Sequence, residues 1–417
     1  MKIVHVTESS ATTAPLRISE AVERSGAESV VLVHDAVRGF GSRARVAARP
    51  GFIERRLDVL RHDRQRKLLA GYPERDPVLF SPGLSGIDIS HDPEVMSSDI
   101  VNLHWVCMGY LRPESIAKLL DSGKKVVWTM HDLWPVSGGC HYGCDRFEDK
   151  CGACPVLHSD DVNDISASLI KKKVRLWRGR GIVTVSPSRW LQSGADRSAV
   201  FSGGRNEYIP NPIDTEVFGM KDEAEEGSRK DGLFRVLFGA SDTSSPYKGF
   251  EYFEKMLMMI SERDPGIAER LQVVTFGRGK PDSAAIGRFR HEAAGFLDTE
   301  EKMAALYRSA DILVAPSVED NFPGTVLESM ASGTPVLGFD TGGIPDMVDS
   351  GVNGFIAGKG DAEGLYTGFK WLYENRQGNG AGIAARRKVL ENYTMEKVGQ
   401  RYMDLYNDIM GGRETAK

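Results

Sequence analysis

The stretch VEDNFPGTVLESMASGTPVLGFDTGGIPDMV, residues 318–348, combines a strand end, an acidic loop, a helix, a second strand and a glycine-rich turn. Pro323 suits the first turn of a helix, and Asp320 or Asn321 is predicted to cap it. Strand, loop, helix and strand in this order are typical of a parallel α/β sheet. The stretch therefore predicts an α/β fold for this part of the chain.

The same stretch carries groups that suit a sugar phosphate. Backbone N–H groups at Gly324 and Thr325, together with the helix dipole, form an anion site suited to a diphosphate. A carboxylate accepts two hydrogen bonds from a vicinal diol, so Glu328 suits a ribose and Asp320 suits a sugar hydroxyl. The stretch is thus predicted to bind both halves of a nucleotide sugar.

Short apolar runs alternate with helical patterns along the rest of the 417 residues. This rhythm, in a chain too long for one core, predicts two doubly wound, Rossmann-like domains with ligands in a cleft between them. We place the first domain at 1–211 and the second at 212–392, with a charged linker at 214–231. A helix in 393–417 is expected to return and complete the first domain.

Composition indicates an ordinary soluble protein with 41% apolar and 27% charged residues and a formal charge of -5. No run of 18 apolar residues and no secretory signal is present, so we expect a cytoplasmic protein. Reducing conditions there disfavour stable disulfides. Clustered thiols are then better explained by a metal.

Four of the five cysteines stand within fifteen residues, in a loop at 138–156 that has few apolar residues. Such a loop cannot form its own core, and a structural zinc would order it. The predicted ligands are Cys140, Cys144, Cys151 and Cys154. Two alternatives are a ligand set that includes His141 or His158, and a group of reduced, partly buried thiols.

The order of motifs resembles the family-four retaining glycosyltransferases of GT-B fold. Residues 318–348 give the acid, seven residues, a Glu, a GTPV strand and a GGIPE-like turn of that family's signature. VTVSPSRWL, YIPNPIDTEVF, SPYKGFEYF and LYRSADILVAPSVED match it in order, so the resemblance covers nearly the whole chain. LHW, WTMHDLWPVSGGCHYGC and CGACP are similar to a bacterial branch linked to exopolysaccharide and colanic-acid assembly.

The resemblance implies a transfer of a hexose-type sugar, with UDP favoured over GDP as carrier, to a glycan or lipid-linked glycan. Glu328 would bind the ribose, Asp320 would orient the sugar, Lys248 would neutralise the diphosphate, and His131 would lie near the sugar and the acceptor. No protein nucleophile and no catalytic metal are implied. Further donor contacts are expected from Ser10, Ala11, Thr12, Ala240, Arg278, Phe322, Pro323, Gly324 and Thr325.

The chain departs from the family pattern at several of these positions. Asp320 replaces a Glu, and Ala240 stands where an Arg usually pairs with the Lys, a role that Arg278 is a candidate to fill. ESSATTAP, residues 8–15, replaces a glycine-rich loop. Two alternatives therefore remain, a weakly active or inactive relative that binds partners, and a sugar-nucleotide epimerase of the same fold.

Two basic runs interrupt the acidic chain. Residues 38–67 contain ten Lys or Arg against three acids, and KKKVRLWRGR follows at 171–180. They indicate a patch attracted to anionic lipid, which would place the enzyme on the inner membrane face. A solvated helical face is the alternative. Nucleic acid is not expected, because the chain is acidic overall and lacks a recognition helix.

Overall fold

The computed structural model describes the chain in nine ranges: 1–8, 13–34, 44–48, 51–75, 80–143, 151–220, 231–243, 245–279 and 283–412. The chain forms two compact units. The N-terminal unit comprises Met1–Pro212 with Met395–Lys417, and the C-terminal unit comprises Ile213–Thr394.

The N-terminal unit is built on a seven-stranded sheet in the order β3-β2-β1-β4-β5-β6-β7. Every pairing in it is parallel. Its strands are β1 (Lys2–Thr7), β2 (Glu28–Val33), β3 (Ala44–Val46), β4 (Ile100–Leu103), β5 (Lys125–Thr129), β6 (Val183–Ser186) and β7 (Asn206–Tyr208). The central strands are apolar runs because both faces of the sheet are covered.

Helices cover both faces of this sheet. They are α1 (Thr13–Arg24), α2 (Phe52–Leu69), α3 (Pro93–Ser97), α4 (Pro113–Asp121), α5 (Ile165–Trp177), α6 (Arg189–Arg197) and α14 (Met395–Met410). On one face, Val398 and Tyr402 of α14 pack with Ile18 and Val22 of α1. On the other face the core includes Trp128, Trp134 and Trp177.

The long helix α14 is tied to the sheet by polar bonds as well as by its apolar side. Asn102 Nδ2 of β4 donates to Tyr406 Oη at 2.9 Å, and Tyr402 Oη lies 3.1 Å from Thr129 Oγ1 of β5. These residues are buried, so each bond satisfies a group that would otherwise be costly to bury. The predicted return of the last helix to the N-terminal unit is confirmed.

Helix α2 differs from the others in the N-terminal unit because it has no buried residue. Its exposed apolar side chains include Phe52 at 62% exposure and Ile53 at 75%, with Leu57, Val59 and Leu60 also exposed. It overlaps the first basic run, residues 38–67, so apolar and cationic groups share one exposed helix.

The C-terminal unit has a six-stranded parallel sheet in the order β10-β9-β8-β11-β12-β13. From β8 the chain adds β9 and β10 on one side, and then returns to add β11, β12 and β13 on the other. The strands are β8 (Phe234–Asp242), β9 (Leu271–Arg278), β10 (Arg290–Gly295), β11 (Ile312–Ala315), β12 (Val336–Phe339) and β13 (Gly354–Ala357). The switch point of this sheet therefore lies between β8 and β11.

Helices again cover both faces. They are α7 (Phe250–Arg263), α8 (Pro265–Ala268), α9 (Glu300–Ser309), α10 (Gly324–Ala331), α11 (Ile344–Met347), α12 (Ala362–Glu374) and α13 (Gly380–Asn392). Two apolar clusters fill the two sides, one with Tyr307 and Met330 and the other with Phe253 and Phe369. The prediction of two doubly wound parallel sheets is confirmed.

Among the described residues, no helix combines the length and the apolar character needed to span a bilayer.

Candidate functional site

The switch point of the C-terminal sheet brings two predicted site residues together. Lys248 follows β8 and Asp320 follows β11, and Lys248 Nζ donates to Asp320 Oδ2 at 2.5 Å. Asp320 is only 9% exposed. Ligands of doubly wound sheets bind outside the carboxyl ends of the strands at this point. The ion pair therefore lies where the fold itself places a ligand site.

A tight turn holds Lys248 against the neighbouring strand end. Pro246–Lys248 form a single 3₁₀ turn, and Gly249 follows with a φ of 69°. A Cβ atom at Gly249 would lie 1.9 Å from the carbonyl oxygen of Pro316. Only glycine permits this contact, since it fits both the left-handed conformation and the missing space.

A second glycine fixes the acidic loop. Gly342 has a φ of 54°, and a Cβ atom there would lie 1.6 Å from the carbonyl oxygen of Asp320. The turn after β12 thus packs directly on the backbone that carries the Asp320 carboxylate. The glycine-rich turn of the quoted stretch positions the acid.

The helix start differs from the prediction in one respect. Helix α10 begins at Gly324, and Pro323 is its N-cap in an extended conformation with no side-chain capping bond. The prediction that Asp320 or Asn321 caps the helix is wrong, because Pro323 lies between them and the first turn. Val326 and Leu327 both direct their N–H groups to Pro323 O.

The first two amides of α10 remain available. Among the described residues, no acceptor bonds the N–H of Gly324 or Thr325. Gly324 is exposed, so this end of the helix is open to solvent. This is the arrangement in which helix N-termini bind phosphate.

Glu328 lies one turn into the same helix and is partly exposed. Its Oε2 accepts a hydrogen bond of 3.1 Å from the buried Tyr307 hydroxyl of α9. A Cβ atom at Gly324 would lie 3.6 Å from Glu328 Oε1, so the carboxylate reaches back toward the amides. Tyr307 was not predicted as a site residue, because its place in the helical run LYRSA indicates only a residue of the core.

The remaining predicted donor contacts occupy varied positions. Ala240 is 2% exposed within β8, and Arg278 stacks on the ring of Phe296 at 4.5 Å. Phe322 is buried and packs against Tyr393, with ring centroids 5.9 Å apart. Ser10, Ala11 and Thr12 lie outside the described residues.

His131 follows β5 in the N-terminal unit and is partly exposed. Its Nε2 lies 3.0 Å from Nδ1 of His104, a buried residue that follows β4. Burial lowers the pKa of His131 to about 4, although the neighbouring Asp132 acts in the opposite direction. His131 is therefore a neutral imidazole near pH 7.

The cysteine loop packs around buried sulfur atoms. Cys140 Sγ and Cys154 Sγ are 3.6 Å apart, and the backbone N–H of Gly138 donates to Cys151 Sγ at 3.0 Å. Two thiolates on one tetrahedral zinc, with Zn–S bonds of about 2.3 Å, stand about 3.8 Å apart. The Cys140–Cys154 distance therefore fits two thiolates on one metal. Cys144 lies outside the described residues.

A buried lysine lies next to this loop. Lys173 is 1% exposed, and its ammonium donates to the carbonyl oxygens of Trp134 and Ser137. Burial lowers its pKa to about 7, while Cys151 is the largest of the neighbours that act in the opposite direction. The protonated form of Lys173 favours the thiolate form of the cysteines with which it interacts.

Cys107, Asp132 and His141 also bring their ligand atoms within 4.8 Å of one another. Hydrogen bonds already use most of these atoms: Asp132 Oδ2 binds His141 at 2.6 Å and Trp105 Nε1 at 2.7 Å, and His141 Nε2 binds Ser81 at 2.7 Å. This group is explained as a polar network that holds the loop after His131.

Residues 234–375, which include Lys248, Asp320 and Glu328, match the family model described as glycosyl transferases group 1. The chain therefore contains a glycosyl transferases group 1 domain. The Lys248–Asp320 pair, the helix amides and Glu328 all belong to this domain.

Curated proteins with similar sequences include bacterial glycosyl transferases. The putative colanic acid biosynthesis glycosyl transferase WcaC of Escherichia coli is 24% identical over 59% of this chain and 59% of its own length. The putative glycosyltransferase EpsF of Bacillus subtilis is 27% identical over 47% of this chain and 53% of its own length. The chain thus spans little more than half the length of these relatives.

Solved structures show the fold over the whole chain. Sucrose-phosphate synthase of Thermosynechococcus elongatus has a TM-score of 0.65 at 14% identity and covers 99% of this chain and all of its own. The Anabaena protein HepE, solved with UDP and glucose, has a TM-score of 0.64 at 16% identity, covering 98% and 100%. These likenesses show that the group 1 domain is part of a GT-B fold.

Proposed function

We propose that the protein is a retaining glycosyltransferase that moves a hexose-type sugar from UDP, in preference to GDP, to a glycan or lipid-linked glycan during surface polysaccharide synthesis. The observation that carries the proposal is the Lys248–Asp320 pair beside two available helix amides at the switch point of a group 1 domain. Similarity to WcaC and to UDP-bound HepE supports the acceptor class and the nucleotide.

Each part of a nucleotide sugar has a matching group in the C-terminal unit. The amides of Gly324 and Thr325 suit the diphosphate, and Glu328 at the next turn suits the ribose diol. Lys248 supplies a positive charge for the phosphate that leaves, and Asp320 orients both Lys248 and a sugar hydroxyl. Arg278, on β9 beside β8, is the second candidate cation, since Ala240 is buried and uncharged.

The proposed transfer needs no protein nucleophile. The bond between the sugar C1 and the phosphate oxygen breaks while the acceptor oxygen forms a new bond to C1 on the same face. The acceptor proton passes to the departing phosphate. Lys248 and the helix amides stabilise the growing negative charge of that phosphate, so the proposal requires no catalytic metal.

Replacing Glu328 with glutamine tests the ribose assignment. The amide keeps the size of the side chain and an oxygen for Tyr307, but it loses one acceptor and the negative charge. We expect the KM for the donor to rise about 10- to 100-fold, with a smaller change in kcat. Release of UDP from candidate donors, measured with a panel of acceptors, provides the rate.

Glu319→Gln is the matched control. Glu319 stands in the same loop but pairs with Lys359 at 2.9 Å. Its replacement should leave the KM for the donor unchanged. An unchanged donor KM in the Glu328→Gln variant would reject the site assignment.

A non-catalytic relative is the second candidate function. Ala240, buried in β8, leaves one family position for a phosphate cation without charge. Binding of UDP-sugars without turnover across broad donor and acceptor panels would favour this alternative over the enzyme, and an epimerised sugar product would favour the epimerase.

A structural zinc in the cysteine loop is the second part of the proposal. The Cys140–Cys154 distance of 3.6 Å supports a pair of thiolates on one metal. Cys151 accepts a backbone N–H bond in the same loop, but among the described residues its Sγ does not lie within 4.8 Å of both other sulfur atoms, so it would have to move to become a ligand. Four thiolates would leave no coordination position for a water molecule. The zinc would therefore shape the loop that follows His131 and take no part in the transfer.

Helix α2 supports a third proposal, that the protein rests on an anionic membrane surface at the cytoplasmic face. Phe52 and Ile53 are exposed on a helix that also carries Arg55 and Arg56. Exposed apolar groups insert into the headgroup boundary, and neighbouring cations attract anionic lipid. A lipid-linked acceptor would be reached from such a position.

Pelleting with vesicles tests this surface. We expect the protein to sediment with phosphatidylglycerol vesicles and to stay in the supernatant with phosphatidylcholine vesicles, with weaker binding in high salt. Replacing Phe52 and Ile53 together by serine should weaken binding about tenfold or more, because each apolar side chain contributes over 1 kcal/mol. Ile383→Ser with Leu390→Ser, exposed apolar positions on α13, is the control pair. Equal pelleting with both vesicle types would remove the proposal.

A further inference from the structure

Three histidines form a continuous row across the N-terminal sheet. His5 Nδ1 lies 2.9 Å from His104 Nε2, and His104 Nδ1 lies 3.0 Å from His131 Nε2. Ring centroids are 5.2 Å apart at both steps, and the ring planes are inclined by 28° and 22°, so the rings meet edge to edge as N–H···N bonds require. The row ends at His131, the histidine that the family resemblance places near the sugar and the acceptor.

Strand register produces this row. His5 of β1 pairs with Asn102 of β4, two residues before His104, and Leu103 pairs with Trp128 of β5, three residues before His131. Each step therefore moves one strand across and two residues toward the carboxyl edge. Side chains two residues apart share one face of a strand, so the three rings project on the same side of the sheet.

Burial favours the neutral form of all three rings. It lowers the pKa of His5 to about 3, that of His104 well below its usual value and that of His131 to about 4. A neutral imidazole has one N–H and one lone pair. The two contacts then allow only two arrangements of protons along the row.

The two arrangements differ at the ends of the row. In the first, His5 donates to His104, His104 donates to His131, and His131 keeps its own proton on Nδ1. In the second, every proton lies on the other nitrogen, and the His5 Nε2–H points into the core. His5 Nε2 is buried without a hydrogen-bond partner in the described part of the chain. An unpaired N–H is rarer in protein cores than an unpaired acceptor, so the first arrangement is favoured.

We propose that His104, held in turn by His5, is a positioning residue that fixes His131 as the tautomer with its proton on Nδ1. The inference rests on the proposed function, together with the expectation from the family resemblance that His131 lies near the sugar. His131 Nδ1 has no partner within the described residues and is the nitrogen left to contact a substrate. His131 then donates a hydrogen bond to a sugar or acceptor oxygen and does not take the acceptor proton, which goes to the departing phosphate.

Nitrogen NMR of the full-length protein tests the tautomer directly. With ¹⁵N-labelled histidine, a spectrum that correlates ring carbon-bound protons with both nitrogens shows which nitrogen carries the proton. His131→Gln identifies the signals of His131. We expect protonated Nδ1 and unprotonated Nε2 near pH 7.5. A proton on Nε2, or on both nitrogens, would overturn the proposal without any variant in the row.

Two variants of His104 separate positioning from packing. Asparagine retains an amide N–H in place of Nδ1–H, whereas leucine retains bulk but cannot donate. We expect His104→Leu to give a mixture of His131 tautomers and to lower kcat about tenfold with little change in KM. His104→Asn should restore the Nδ1 tautomer and most of kcat. Equal tautomers and equal rates in the two variants would contradict the role of His104.

The NMR spectrum and the rate of sugar transfer test the inference and the proposed function separately. The spectrum needs no substrate, so it decides the tautomer even if no donor is turned over and the proposed function falls. Sugar transfer accompanied by a His131 proton on Nε2 would leave the function in place and reject only this inference.

Discussion

Replacing Lys248 with methionine is expected to lower kcat by about 10²- to 10³-fold while the fold is retained. Methionine keeps the length and apolar stem of the side chain but removes the ammonium that neutralises the leaving diphosphate. The loss is increased by Asp320, which is 9% exposed and would face the diphosphate without its cation. Measuring UDP release at saturating donor gives kcat directly.

Lys359→Met is the matched control. Lys359 belongs to the same unit, but it pairs with Glu319 and not with Asp320. Its kcat should be unchanged. A double-mutant cycle with Asp320→Asn then separates two roles of the acid. If Asp320 only orients Lys248, the double variant is no slower than Lys248→Met alone; a further loss indicates direct contact with the sugar. A Lys248→Met enzyme with unchanged kcat would refute the leaving-group role.

Zinc is expected at about one ion per chain when the protein is purified without chelators, and Cys154→Ser should abolish it. Zinc that is present at 1,000-fold its dissociation constant stabilises the folded state by about 4 kcal/mol. For a unit of this size each kcal/mol corresponds to about 2–4 °C in Tm, so removal should lower the Tm by about 10 °C. Elemental analysis and thermal unfolding provide the two measurements.

Cys107→Ser is the control for this experiment. Cys107 groups with Asp132 and His141, whereas Cys140 and Cys154 form a separate sulfur pair. We expect the variant to keep its zinc. Loss of zinc on replacing Cys107 would indicate that the metal binds the Asp132–His141 group. An absence of zinc in the unaltered protein would indicate that the cysteines are reduced thiols without a metal.

The sequence was sufficient to predict the fold class. Strands of a doubly wound sheet are buried on both faces, so they appear as short apolar runs between helical patterns. Element ends were harder to predict. The apolar run at residues 99–105 contains a strand only at Ile100–Leu103, although the backbone of His104 and Trp105 still bonds to Val6 and Glu8. Such ends depend on tertiary contacts that periodicity does not encode.

Parts of the candidate site needed three-dimensional register. Lys248 and Asp320 could each be assigned to a loop after a strand, but their direct contact follows from β8 and β11 being neighbours at the switch point. His5 and His104 were missed because a histidine in a buried apolar run has no signature of its own. Their alignment with His131 depends on strand register, which alternation of residue types does not specify.

Helix α14 has a consequence for how the protein is made. Residues 395–410 belong to the N-terminal unit, and Tyr402 and Tyr406 bond to residues of strands β5 and β4 that are synthesised 273 and 304 residues earlier. A ribosome that adds about 5–20 residues per second needs many seconds to bridge that gap. During that time the amide of Asn102 lacks the hydroxyl acceptor of Tyr406. The N-terminal sheet therefore stays without its covering helix until α14 has been translated.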